Sequence, residues 1–250
     1  MTSILSTISV TFLGLMAALL GVAMLMEALP AYGRYLVFPF VLTGWLISLC
    51  LHEFGHAVVA YRSGDRSVVG NGYLTLDPLR YTDVQFSIFW PLVYLAIGGI
   101  GLPGGAVYLN KNMIRSPVDR SLVSAAGPLA TLAVFILLLV ILRATEGTIS
   151  APFYAGLAFL AFLQLTALVL NLLPVPGLDG WGIIEPWLSY DLQEFGARAA
   201  PIAPALLFVT FLLVPPANEM FWRLVYDLAR TIGFDAGGAA WGMRLFQFWR

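Results

Sequence analysis

Long apolar runs separated by short polar, glycine or proline breaks set the pattern along this chain. A helix needs about 20 apolar residues to cross a hydrocarbon core of roughly 30 Å. Five stretches meet that requirement with few charges: residues 8–29, 36–61, 121–142, 152–173 and 199–216. Leu29-Pro30, Arg62-Ser63-Gly64, the segment from Arg143 to Gly147, and Pro174 mark breaks between them. The first stretch is too long, and too poor in N-terminal charge, for a cleaved signal peptide, so it reads as a retained helix.

A sixth apolar stretch, 87–109, carries Gly98-Gly99-Ile100-Gly101-Leu102-Pro103-Gly104-Gly105 at its middle. Clustered glycine and proline oppose a straight helix, and broken backbone at membrane depth survives only inside protein or along a wet cavity. Composition alone leaves a kinked span and a re-entrant segment equally open. Charge favours re-entry. Arg62, Arg66 and Arg80 precede the stretch and Lys111, Arg115 and Arg120 follow it, whereas the opposite loops offer Arg34 and Arg143. Excess Lys and Arg marks cytosolic loops, so both ends of 87–109 are expected on the cytosolic side. The helices at 36–61 and 152–173 then run in the same direction.

Composition agrees with a membrane protein and excludes several alternatives. Hydrophobic residues make up 60% of the 250 and charged residues 11%, far from the roughly one quarter charged of a soluble domain. A formal net charge of -1 speaks against a nucleic-acid binder. The single cysteine, Cys50, allows no internal disulfide and no cysteine-ligated cluster. The last residues interleave Trp222, Trp241, Phe248 and Trp249 with Arg223, Arg230, Arg244 and Arg250, a mixture expected at a membrane interface.

The chain has only two histidines, and both fall in Leu51-His52-Glu53-Phe54-Gly55-His56. Residues four apart on a helix share a face, so two imidazoles there can ligate one zinc while the glutamate serves as base. Ionisable groups inside a span are costly and are functional by default. With Arg62 at the surface, a rise of 1.5 Å per residue puts His56 about 9 Å and His52 about 15 Å deep.

A catalytic zinc takes a third protein ligand and leaves a position for water. No histidine remains, so a carboxylate is required. Asp179, in Asn171-Leu172-Leu173-Pro174-Val175-Pro176-Gly177-Leu178-Asp179-Gly180, is the acidic residue nearest an intramembrane position. Taken alone, it suits an interfacial turn equally well, with Asp77 and Asp83 as the fallback ligands. If 87–109 re-enters, however, the C-terminal parts of 36–61 and 152–173 share a membrane side and Asp179 can reach the histidines.

Together these residues resemble the site-2 protease family of intramembrane zinc metalloproteases, over roughly residues 36–185. The likeness rests on His52-Glu53-Phe54-Gly55-His56, on Ala126-Gly127-Pro128, and on the segment from Asn171 to Gly180 with its Asn-x-x-Pro and Leu-Asp-Gly. Gly72-Tyr73-Leu74-Thr75-Leu76-Asp77-Pro78 is similar, more loosely, to a loop of the compact bacterial branch, which lacks an added regulatory module. The resemblance implies a three-helix catalytic core, one Zn2+ held by His52, His56 and Asp179, Glu53 as catalytic base, Asn171 as a substrate-binding residue, and cleavage of a partner's transmembrane helix. Thr131 stands where family members commonly have Asn, and Trp181 where they commonly have a second Gly. Both departures bear on substrate contacts rather than on the ligands or the base.

The fold expected is an all-α polytopic membrane protein of about five to six transmembrane helices. It adds a short cytosolic-side β-hairpin at 66–76 around Gly70-Asn71-Gly72, and a re-entrant or broken segment near 87–109. The hairpin's edge could hold an unwound substrate as an added strand, or be a plain surface turn. Three regions follow: an N-terminal transmembrane helix at 1–35, a catalytic core at 36–185, and a C-terminal transmembrane helix with an interfacial tail at 186–250. Expected partners are a transmembrane protein substrate, the lipid bilayer and a membrane-protein regulator, with no nucleic acid. The expected location is a bacterial cytoplasmic membrane with the active site toward the cytosol. The competing class is a zinc-binding membrane protein without turnover. A transporter would need a conducting path and usually a repeat, neither visible here, and a pseudoprotease typically loses the base or a ligand, all of which this chain keeps.

Overall fold

The computed structural model describes residues 8–80, 113–114 and 116–249; the segment 87–109, expected to re-enter, lies outside them. Helix α1, Val10–Ala28, starts where the Ser9 hydroxyl accepts from the Phe12 amide at 3.0 Å. Helix α2, Gly33–Arg62, runs 30 residues and ends as the chain turns through Gly64 at a φ of +113°, a left-handed conformation suited to glycine. A single helical turn, α3, spans Ser67–Gly70. Helix α4, Pro117–Thr145, is capped by Ser116 with proline at its first position, and α5, Ala151–Asn171, follows after a short turn.

The core is α2, α4 and α5 packed against one another. Gly33 at the start of α2 meets Pro152 at the start of α5, so these helices run together. Helix α4 runs against them: Gly55, late in α2, lies against the carbonyl of Ala126, early in α4. Gly55 is required for that approach, since a Cβ there would stand 2.6 Å from the carbonyl oxygen. Residue 113 returns to the end of α2, where a Cβ on Gly64 would lie 3.2 Å from the Met113 carbonyl oxygen. The end of α2 and the start of α4 thus share one end of the bundle, as the charge pattern led us to expect.

Past α5 come short helices: α6 at Asp179–Ile184, α7 at Tyr190–Ala199, α8 at Ala203–Leu213, α9 at Pro215–Thr231 and α10 at Ala236–Phe246. Helix α10 folds back into the core against α5 and α2, with Phe246 buried between Phe159 and Phe38 at ring separations of 5.5 and 5.0 Å. Arg143 at the end of α4 closes the neighbouring corner by donating to the Gly233 carbonyl at 2.7 Å.

One expectation is corrected and another refined. No strand occurs among the described residues, so the hairpin at 66–76 is absent. In its place Asp65 accepts from the Ser67 amide at 2.9 Å, which nucleates the α3 turn, and Tyr73–Thr75 forms a second tight turn between left-handed Gly72 and Leu76. Two three-residue arms without a third strand to pair with would have gained little as a sheet. Within the span expected at 199–216 the helix is α8, which meets the preceding α7 at a 70° bend. Helix α8 has 11 residues, about 16 Å of rise and half a hydrocarbon core. Four helices among the described residues are long and apolar enough to cross a membrane, or five if the bent pair acts as one span.

Candidate metal centre

The centre is built where the late part of α2 faces the early part of α4. The 3.6-residue period of α2 brings His52 and His56 to one face, their Nε2 atoms 3.1 Å apart. Each ring is held from behind by α4. His56 Nδ1 lies 2.7 Å from the Val123 carbonyl oxygen, which can only accept, so that nitrogen carries the proton and Nε2 presents a lone pair. His52 Nδ1 lies 2.9 Å from the Thr131 hydroxyl, which can accept in the same way.

Asp179 arrives from the opposite side at the first position of α6. Its Oδ2 is 3.2 Å from His52 Nε2 and its Oδ1 is 3.3 Å from His56 Nε2. The turn from Asn171 to Leu178 delivers it there, and Gly180 lets the chain pass close to the end of α5: a Cβ there would lie 2.3 Å from the Leu172 carbonyl oxygen. The three side chains offer atoms within 4.8 Å of one another and could hold a metal ion. Two imidazole lone pairs and a carboxylate converging with no hydrogen-bond donor between them would repel one another unless a cation or proton sat at their centre. Two nitrogens and one oxygen are the donor set of a catalytic zinc site.

Gly127 supplies the space. A Cβ on it would fall 2.2 Å from His56 Nε2 and 2.6 Å from His52 Nε2, so any side chain would fill the centre. Glu53 is buried on α2, 3% exposed, between the two histidines in sequence. Asn171 is buried at the last residue of α5. Asp77 is engaged elsewhere, accepting from the Leu79 amide at 3.2 Å, and Asp83 lies outside the described residues.

The sequence reading missed the orienting partners of the rings. Val123 acts through its backbone, which no side-chain signal could announce. Thr131, set down as a departure bearing on substrate, turns out to face His52 across 79 positions of chain. Its register in α4 held a clue, four residues after the glycine that borders the centre. Trp181, the other departure, packs its ring over Gly196 of α7, where a Cβ would lie 2.5 Å from it.

Comparison with known proteins agrees with this geometry. The model of peptidase family M50 matches residues 40–154, which take in α4 and both histidines. The chain is 50% identical over 213 residues to a Mycobacterium tuberculosis protein named zinc metalloprotease Rip2, covering 85% of this chain and 82% of the relative. The Mycolicibacterium smegmatis protein of the same name is 47% identical over 218 residues. A Bacillus subtilis protein named zinc metalloprotease YwhC is 32% identical over 209 residues, covering 77% of this chain and 90% of the relative. No solved structure matches the chain. With several apolar helices of spanning length around a histidine and carboxylate centre, the chain belongs to peptidase family M50, the site-2 protease family, and is an integral-membrane zinc metalloprotease.

Proposed function

We propose that this protein hydrolyses peptide bonds within or next to the transmembrane helices of other membrane proteins, with its centre toward the cytosol. The observation that carries the reading is the position of the centre on long apolar helices. His52 lies ten residues before the end of α2, about 15 Å along the helix. A protease with its metal ligands at that depth meets substrate in the bilayer. The basic residues Arg62, Arg66, Arg80 and Arg120 gather at the end of the bundle nearest the centre, which supports a cytosolic orientation.

In this reading His52, His56 and Asp179 hold the zinc. When bound, the ion supplies Lewis-acid polarisation to a water and to the peptide carbonyl under attack. Glu53 accepts the proton of the attacking water and returns it to the leaving amine. It does not ligate. Asn171, at the mouth of the turn that brings Asp179 in, offers its amide to the substrate backbone. The low accessibility of the centre keeps bulk water from competing. A helical substrate hides its carbonyls in its own hydrogen bonds, so it must unwind locally before it can be cut. With no strand at 66–76, a hairpin edge there is not the device that holds the unwound segment.

The test uses purified protein in lipid vesicles with single-pass membrane substrates, comparing wild type with Glu53→Gln. Cleavage by wild type within or beside the substrate's span, and none by the variant, is the expected result. Cleavage confined to soluble polypeptides, or equal activity in both proteins, would refute it.

A further inference from the structure

The two histidines of the centre are oriented by unlike means. His56 is fixed by a backbone carbonyl, that of Val123, which stays in place whatever side chain position 123 carries. His52 is fixed by a side chain, the Thr131 hydroxyl at 2.9 Å. Thr131 is buried, 4% exposed, on a helix that closes against α2 at Gly55 and borders the centre at Gly127. Gly127 and Thr131 are one helical turn apart on the same face of α4, so the residue that leaves the centre open and the residue behind His52 both face it.

We propose that Thr131 is a positioning residue for the metal centre: its hydroxyl sets the tautomer and ring plane of His52 so that Nε2 faces the ion. The inference rests on His52 being a zinc ligand. Imidazole has two nitrogens, and either can carry the proton of the neutral ring. A hydroxyl that accepts from Nδ1–H leaves Nε2 unprotonated and facing Asp179 and His56, the form that binds a metal. Without that partner the ring can take the other tautomer, or turn about its Cβ–Cγ bond within the space that Gly127 leaves. A polar partner behind a ligating imidazole commonly changes metal affinity by about 10–100-fold when it is removed.

The test is metal binding, read without any substrate. Purified wild type, Thr131→Val, Thr131→Ser and His52→Ala are titrated with zinc against a competing chelator, and their cobalt-substituted forms are compared by visible absorption. Valine keeps the shape of threonine and lacks the hydroxyl; serine keeps the hydroxyl. The proposal expects zinc affinity to fall by about 10–100-fold in Thr131→Val, with an altered cobalt spectrum, and both to return toward wild type in Thr131→Ser. If Thr131→Val matches wild type while His52→Ala loses zinc, the proposal is overturned and the ligand assignment stands. If His52→Ala also keeps full affinity, the ligand assignment fails and the proposal falls with it. Equal losses in Thr131→Val and Thr131→Ser would assign the residue a packing role and likewise overturn the proposal.

Discussion

Helices α1 and α5 have the same mean hydropathy, 2.0, yet 11% of the α1 span is buried in the protein and 78% of the α5 span is. Hydropathy says that a helix can sit in lipid, and nothing about whether lipid is what it touches. The difference lies in polar and small residues. Helix α5 carries Gln164, Thr166 and Asn171, all buried, with Thr166 donating to the Leu163 carbonyl at 2.9 Å. Such groups facing hydrocarbon would cost several kcal/mol each, about what an unsatisfied polar group costs in an apolar medium. The polar side chains of α1 are Thr11 and Glu27, each one residue from an end of the helix, and a Cβ on Gly14 or Gly21 would meet nothing within 4 Å. One helix is the axis on which the catalytic elements are hung. The other presents Leu13, Leu20 and Met24 outward.

This contrast can be broken by substitution. The largest effect is expected from Phe159→Ala in α5, a fully buried ring against Phe246. The cavity should cost about 3 kcal/mol, the lower end of the range for such truncations, because lipid competes for the side chain better than water does. Unfolding in mixed micelles, followed by denaturant titration, would measure it. A smaller loss, about 1–3 kcal/mol, is expected for Gly242→Ala. There a Cβ would stand 2.0 Å from the Ala155 carbonyl oxygen, so α10 must move off α5. Smallest of all is Gly21→Leu in α1, which should fall within about 0.5 kcal/mol of wild type in the same titration. A loss there as large as that of Gly242→Ala would mean that the outer face of α1 is covered, and would erase the distinction between the two helices.

Much of the centre was legible because membrane burial removes alternatives. With two histidines in the chain, four positions apart, the convergent pair could be read directly, and the direction of the spans then brought Asp179 to them, as the structure has it. The same logic had no purchase where the outcome depends on contacts distant in sequence. Val68 and Val69 around Gly70-Asn71-Gly72 favoured strands by propensity, but the Asp65 carboxylate captures the Ser67 amide and Val68 buries among Ala57 and Ala60, so a helical turn wins. The 199–216 run was apolar enough to span, and the bend that shortens its helix lies near its start, where Pro201 and Pro204 flank the junction between α7 and α8. The C-terminal tail carried the aromatic and basic mixture of an anchor, yet Gly242 and Phe246 fit it to α5. That fit is a match of shapes, which composition does not contain.

In the proposed mechanism His52, His56 and Asp179 hold the zinc while Glu53 does chemistry without holding it. The most direct measurement is the zinc content of purified wild type, His52→Ala, His56→Ala, Asp179→Ala and Glu53→Gln, by elemental analysis after dialysis against a weak chelator. Near one zinc per chain is expected in wild type and Glu53→Gln, with strong depletion in the three others. Full zinc in Asp179→Ala, or its loss in Glu53→Gln, would contradict the assignment.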